Sequence, residues 1–122
     1  MKQRILVIDD DRLVADTLSL IYRANGFESE ACYSAAEGLE RARTFDPQLL
    51  LCDVSMPLEN GLSQAEKLHA ERPALQMLMF TAFASNALKV QQHSLKTKRP
   101  LRLLNKPCPP EELLRETRAL LA

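Results

Sequence analysis

Residues 4–11 read Arg-Ile-Leu-Val-Ile-Asp-Asp-Asp: four apolar residues in unbroken succession, Ile5 to Ile8, closed by three aspartates. A half-exposed strand alternates apolar with polar residues, whereas an unbroken run suits a strand buried on both faces, as in a parallel sheet covered by helices. Further runs follow along the chain. Leu49–Cys52 leads into Asp53, Leu75–Phe80 meets Thr81, and Leu101–Leu104 meets Asn105-Lys106-Pro107. A weaker strand is expected around Glu28–Cys32.

Helical spacing fills the intervals. Leu13, Val14, Thr17, Leu18 and Ile21 fall on one face of a first helix, which Asn25-Gly26 stops. Ser34, with Glu37 three residues on, predicts a capped second helix carrying Ala35, Leu39 and Ala42 and ending before Pro47. After a turn-rich Met56–Gly61, a third helix is expected from Leu62 to Glu71 and a polar fourth over Ser85–Leu95. The last begins at Pro109-Pro110-Glu111 and buries Leu113, Leu114, Thr117, Leu120 and Leu121. Five strands alternating with five helices give an α/β sandwich around a parallel sheet, with right-handed crossovers placing helices on both faces.

The totals bound the function. A chain of 122 residues suits one domain, and 46% apolar residues supply its core. Lys+Arg and Asp+Glu balance at 16 each, so no overall charge draws the chain to nucleic acid or acidic lipid. Cys32, Cys52 and Cys108 form no close pair and read as small buried hydrophobes in a reducing compartment. No apolar stretch approaches the ~20 residues that span a bilayer. A soluble cytoplasmic protein is expected, with no nucleic-acid or membrane binding of its own.

Strand ends carry the candidate chemistry. In an open parallel sheet all C-terminal strand ends share one edge, where ligands bind. That edge would collect Asp9, Asp10, Asp53, Thr81 and Lys106. Crowded carboxylates repel one another unless a cation sits among them. Mg²⁺ fits an all-oxygen site, keeping several waters and sharing phosphate oxygens. Asp9, Asp10 and Asp53 supply its protein side, leaving an Asp53 oxygen to attack phosphorus. Lys106 and the Thr81 hydroxyl would hold phosphoryl oxygens. Asp11 is assigned the humbler task of capping the first helix, and His69 and His93 are read as surface histidines.

Asp9-Asp10 after Ile5–Ile8, Asp53 followed by Met56-Pro57 and Gly61, Thr81-Ala82 and Lys106-Pro107 together resemble the receiver domains of two-component response regulators. The likeness covers nearly the whole chain, read as one receiver domain over residues 1–122. It implies a flavodoxin-like (βα)5 fold with strand order 2-1-3-4-5. It implies that Asp53 accepts phosphate from a histidine kinase or histidine phosphotransfer protein, with Mg²⁺ or Mn²⁺. By the same resemblance Asp10, Asp53 and the Ser55 backbone carbonyl bind the metal directly, with Asp9 acting largely through water. Ser55 and Phe83 occupy the positions that tune water access. The family signals through a face built from the fourth helix, fifth strand and fifth helix, to an output partner or fused output domain, and the face also allows a homodimer. Such a protein is a switch, not an enzyme, beyond its own phosphotransfer and dephosphorylation.

Two departures stand out. The family's inward-turning aromatic, three residues before the lysine, is here Leu103. The segment Leu95–Arg102 lacks the usual glycine and gathers Lys96, Lys98, Arg99 and Arg102. The alternative they favour is a receiver-fold docking module that works without phosphorylation. A phosphatase with an aspartyl intermediate would need an acid where Ser55 stands. A flavin phosphate would be repelled by three aspartates after the first strand.

Overall fold

The computed structural model describes residues 2–53, 70–81, 102–105 and 108–122, with the backbone alone for 102, 103 and 105. The expected Met56–Gly61 turn, the Ser85–Leu95 helix, all but the last two residues of the Leu62–Glu71 helix and most of Leu95–Arg102 lie outside the described residues.

Strands β1 (Arg4–Ile8), β2 (Glu28–Cys32), β3 (Leu49–Asp53), β4 (Gln76–Thr81) and β5 (Arg102–Asn105) form one sheet in the order β2-β1-β3-β4-β5. Every neighbouring pair is parallel. Helices α1 (Arg12–Ala24) and α2 (Ala35–Phe45) and a C-terminal helix (Pro110–Leu121) are among the connecting elements. Three strand ends lie beyond the apolar runs. Asp53 closes β3 opposite Phe80, and Thr81 closes β4 opposite Asn105, which closes β5. Ladder pairing uses backbone groups and continues past the last apolar side chain.

The unbroken runs are two interleaved faces. Leu6, Ile8, Cys32, Leu50, Cys52, Met77 and Met79 pack with Ala35 and Ala42 of α2. Ile5, Val7, Leu49, Leu51, Leu78, Phe80 and Leu104 pack with Ala15, Leu18 and Tyr22 of α1 and Leu113 and Leu114 of the C-terminal helix. Full burial of each such aliphatic side chain contributes about 1.5–3 kcal/mol.

Helix boundaries follow local chemistry. The Asp11 carboxylate accepts the N–H groups of Leu13 (3.1 Å) and Val14 (3.3 Å), capping α1 as expected. Gly26, at φ +93°, turns the chain out of α1 in a conformation that favours glycine. Ser34 Oγ accepts the Glu37 N–H at 3.1 Å, and Glu37 accepts the N–H of Tyr33, one residue before the usual capping-box donor.

The α1 stripe differs from expectation. Leu13 is 77% exposed and Thr17 is exposed, while Ala15, Leu18, Ser19 and Tyr22 are buried. The face is turned because two polar groups are satisfied inside. Ser19 donates to Ser29 Oγ at 3.0 Å, and the Tyr22 hydroxyl meets Thr117 Oγ1 at 2.8 Å. A hydropathy count sees neither pairing.

Thr117 already donates to the Leu113 carbonyl at 2.8 Å, so Tyr22 is the donor in the bond that ties α1 to the C-terminal helix. Thr117→Val leaves a fully buried phenol O–H without its acceptor and should cost about 1–3 kcal/mol. Tyr22→Phe leaves Thr117 its Leu113 bond and should cost about 1 kcal/mol. Urea unfolding of both variants and of the double variant checks this: the double change should cost less than the sum.

Candidate metal and phosphoryl site

The sheet's C-terminal edge gathers the acids. Asp9 follows β1 directly and is 1% exposed; its N–H donates to the Cys32 carbonyl at 3.1 Å. Its Oδ1 accepts the Asp11 N–H at 2.9 Å, fixing the carboxylate against its own loop. Asp53, on the adjacent strand, is 3% exposed, and Asp10 is exposed. Single oxygens of Asp9, Asp10 and Asp53 lie within 4.8 Å of one another. Asp11, engaged as the helix cap, stays out of this group. Thr81, fully buried, ends β4 next to β3.

Of the expected site residues, the fold therefore brings together Asp9, Asp10 and Asp53, with Thr81 one strand away. Lys106, Ser55 and Phe83 lie outside the described residues, as does the side chain of Leu103.

The donor set fits a hard divalent cation. Three carboxylates, each with one oxygen within 4.8 Å of the others, two buried and one open to water, suit an ion that takes oxygen ligands and keeps part of its hydration shell. Like charges at such separations repel by on the order of 3–4 kcal/mol at the effective dielectric of a protein surface, which a cation offsets. Among the described residues the acid cluster includes no soft ligand. Burial pushes the Cys52 thiol well above its ordinary value, helped by the charges of Asp53 and Asp9, so it stays protonated.

Burial also pushes the Cys32 thiol up to about 12. Between the ordinary value of 9.0 and about 12 an unfolded chain releases a proton that the folded one keeps. That stability contribution is complete below pH 9 and is lost as pH rises through the window. Cys108, half-buried, is the accessible thiol. A thiol reagent at neutral pH is expected to label Cys108 first, with Cys32 and Cys52 following only on unfolding; peptide mapping checks the order.

Sequence reasoning passed over Arg12 and Tyr33 beside the acids. The Arg12 guanidinium lies over the Tyr33 ring, 4.3 Å from its centroid, and the Tyr33 hydroxyl donates to Asp16 at 2.5 Å. No spacing rule links residues 12 and 33; the β1–β2 pairing does.

With this geometry in place, the comparisons with known proteins are specific. The model of the response regulator receiver domain matches residues 5–118. The chain belongs to that family. Among relatives, the response regulator MprA of Mycobacterium ulcerans is 36% identical over 121 residues, 99% of this chain and 51% of that protein. The DNA-binding response regulator MtrA of Mycobacterium tuberculosis is 34% identical over 82 residues, 67% of this chain and 36% of that protein. The chain thus spans about half or less of the length of these curated relatives.

Among solved structures, a CheY-like receiver domain protein from Methanospirillum hungatei superposes with a TM-score of 0.89 at 31% identity, over 99% of this chain and 94% of that one. Vibrio cholerae CheY4, at 24% identity and a TM-score of 0.84 over 98% of this chain and 99% of its own, shows the same fold. The flavodoxin-like fold and the family are as the motifs implied. Receiver domains are phosphoryl-accepting signalling switches rather than conventional enzymes. Among the described residues no helix is long and apolar enough to cross a membrane.

Proposed function

We propose that this receiver domain, taken as residues 1–122, accepts a phosphoryl group on Asp53 from a phosphohistidine of a kinase or phosphotransfer protein. The observation that carries the reading is the clustering of Asp9, Asp10 and Asp53 at the ends of two adjacent strands, with one oxygen of each within 4.8 Å of the others.

Asp10, one oxygen of Asp53 and the Ser55 carbonyl would hold Mg²⁺ or Mn²⁺ directly, with Asp9 acting largely through water. The bound ion supplies charge neutralisation for the acids and for the incoming phosphoryl oxygens. The other Asp53 oxygen attacks phosphorus in line; its O–P bond forms as the donor P–N bond breaks, and the leaving imidazole takes up a proton. Thr81 donates to one phosphoryl oxygen and Lys106 neutralises another. Ser55 and Phe83 tune the water that later hydrolyses the acyl phosphate. Differential binding of the phosphorylated site to two conformations then shifts the face around the fourth helix, fifth strand and C-terminal helix for an output partner or a second copy, with Leu103 taking the place of an aromatic switch.

Intact mass after incubation with acetyl phosphate and Mg²⁺ tests this. The native chain is expected to gain one phosphoryl group and to gain none when the metal is chelated. No gain in either condition would leave a docking module that works without phosphate.

A further inference from the structure

We infer that Arg12, two residues from Asp10 and seated on the Tyr33 ring, steers anionic phosphoryl donors towards Asp53; this rests on the acceptor reading above. A phosphoryl donor is an anion, and it must approach a loop that presents Asp9, Asp10 and Asp11 in succession, with Asp53 one strand over. Among the described residues at this edge of the sheet, Arg12 is the one cation, two residues from Asp10 and exposed.

Its placement serves no evident need of the helix. A positive side chain in the first turn of α1 opposes the helix dipole, and that turn holds no acidic residue. Among the described residues no ion pair holds it: the Asp16 carboxylate, one turn on, accepts the Tyr33 hydroxyl. The guanidinium rests instead on the ring face. A cation on an aromatic face is positioned while keeping its charge, and its donors remain open to solvent and ligand.

The anchor is itself well held. Tyr33 directly follows Cys32, whose carbonyl receives the Asp9 N–H, and the Tyr33 N–H donates to Glu37 at 3.3 Å. Ring, hydroxyl and backbone are thus tied to β1, α1 and α2. Arg12 is placed relative to the acids by that frame, as a positioning residue that need not touch phosphorus.

The same charge has opposite effects on the site's two ligands, and this provides the test. A nearby cation attracts the phosphoryl donor and repels Mg²⁺. In the full chain, Arg12→Ala is expected to lower the second-order rate of phosphorylation by acetyl phosphate about fivefold at low ionic strength. The difference should vanish in high salt, because an exposed charge is screened. Mg²⁺ binding, followed by calorimetry without donor, should tighten. Arg12→Lys and Tyr33→Phe should stay near the native rate, and Tyr33→Leu, which keeps the charge but removes the ring that places it, should fall between native and Arg12→Ala.

Equal rates for native and Arg12→Ala at low salt would overturn the proposal. So would rate and Mg²⁺ affinity falling together, which marks damage to the site. A native chain that takes up no phosphoryl group defeats the acceptor reading instead; unchanged Mg²⁺ affinity in Arg12→Ala would then also dispose of any electrostatic action of Arg12 on the acids.

Discussion

Asp53→Asn is expected to abolish phosphoryl incorporation and, in the same protein, to flatten the dependence of stability on Mg²⁺. An amide oxygen is a poor nucleophile and carries no charge, so both roles assigned to this residue go at once. A ligand that binds only the folded state stabilises it by RT ln(1 + [L]/Kd), about 2.7 kcal/mol at a hundredfold excess over Kd. The native chain should gain roughly that on metal addition, and Asp53→Asn only a small part of it.

Asp10→Asn separates the two roles. It keeps the nucleophile but removes the exposed member of the triad, so Mg²⁺ should bind at least about tenfold more weakly while saturating metal restores phosphorylation. Thermal unfolding across a Mg²⁺ titration, paired with intact mass, reads both. A full metal response in Asp53→Asn would remove this residue from the metal site. An undiminished gain in mass would put the acceptor elsewhere.

Gly38→Ala should destabilise the chain although alanine is the better helix former. In an open helix the exchange gains about 1 kcal/mol. Here Gly38 lies on the buried face of α2 against Ile8, and a Cβ would sit 2.7 Å from Ile8 Cγ1 and closer still to Cδ1. Ile8 is fully buried and its β-branched side chain is restricted at χ1, so in a close-packed interior it has little room to give way. Overpacking of this kind costs about 1–3 kcal/mol, which outweighs the propensity gain.

Ile8→Val deletes the Cδ1 that meets the new methyl. Adding it to Gly38→Ala should recover part of the loss, although Ile→Val alone costs about 0.5–1.5 kcal/mol. Urea unfolding of the two single variants and the double measures that coupling. A Gly38→Ala chain as stable as its parent would show that α2 can move away from the sheet. Because Ile8 directly precedes Asp9, a strained β1 end should also weaken Mg²⁺ binding.

Much of the site was written in residue order. The run Ile5–Ile8 is apolar at every position because each side chain of a central parallel strand meets a helix-covered face. Asp9, Asp53 and Thr81 stand where such runs end, and a parallel sheet has no choice but to align those ends. Asp11 was legible as a cap for the same reason Ser34 was: a short oxygen-bearing side chain just before a helical period.

What residue order left open was decided by contacts between distant segments. α1 buries Tyr22 and Ser19 rather than Leu13 because Thr117 and Ser29 supply their partners, 95 and 10 residues away along the chain. Gly38 reads as a weak spot in a helix until Ile8 is seen beneath it. Arg12 reads as one surface charge among 16 basic residues until the pairing of β2 with β1 brings Tyr33 under its guanidinium. Hydropathy and spacing are properties of one segment at a time. Hydrogen-bond satisfaction, steric fit and the direction of a charge belong to pairs, and only the folded chain makes the pairs.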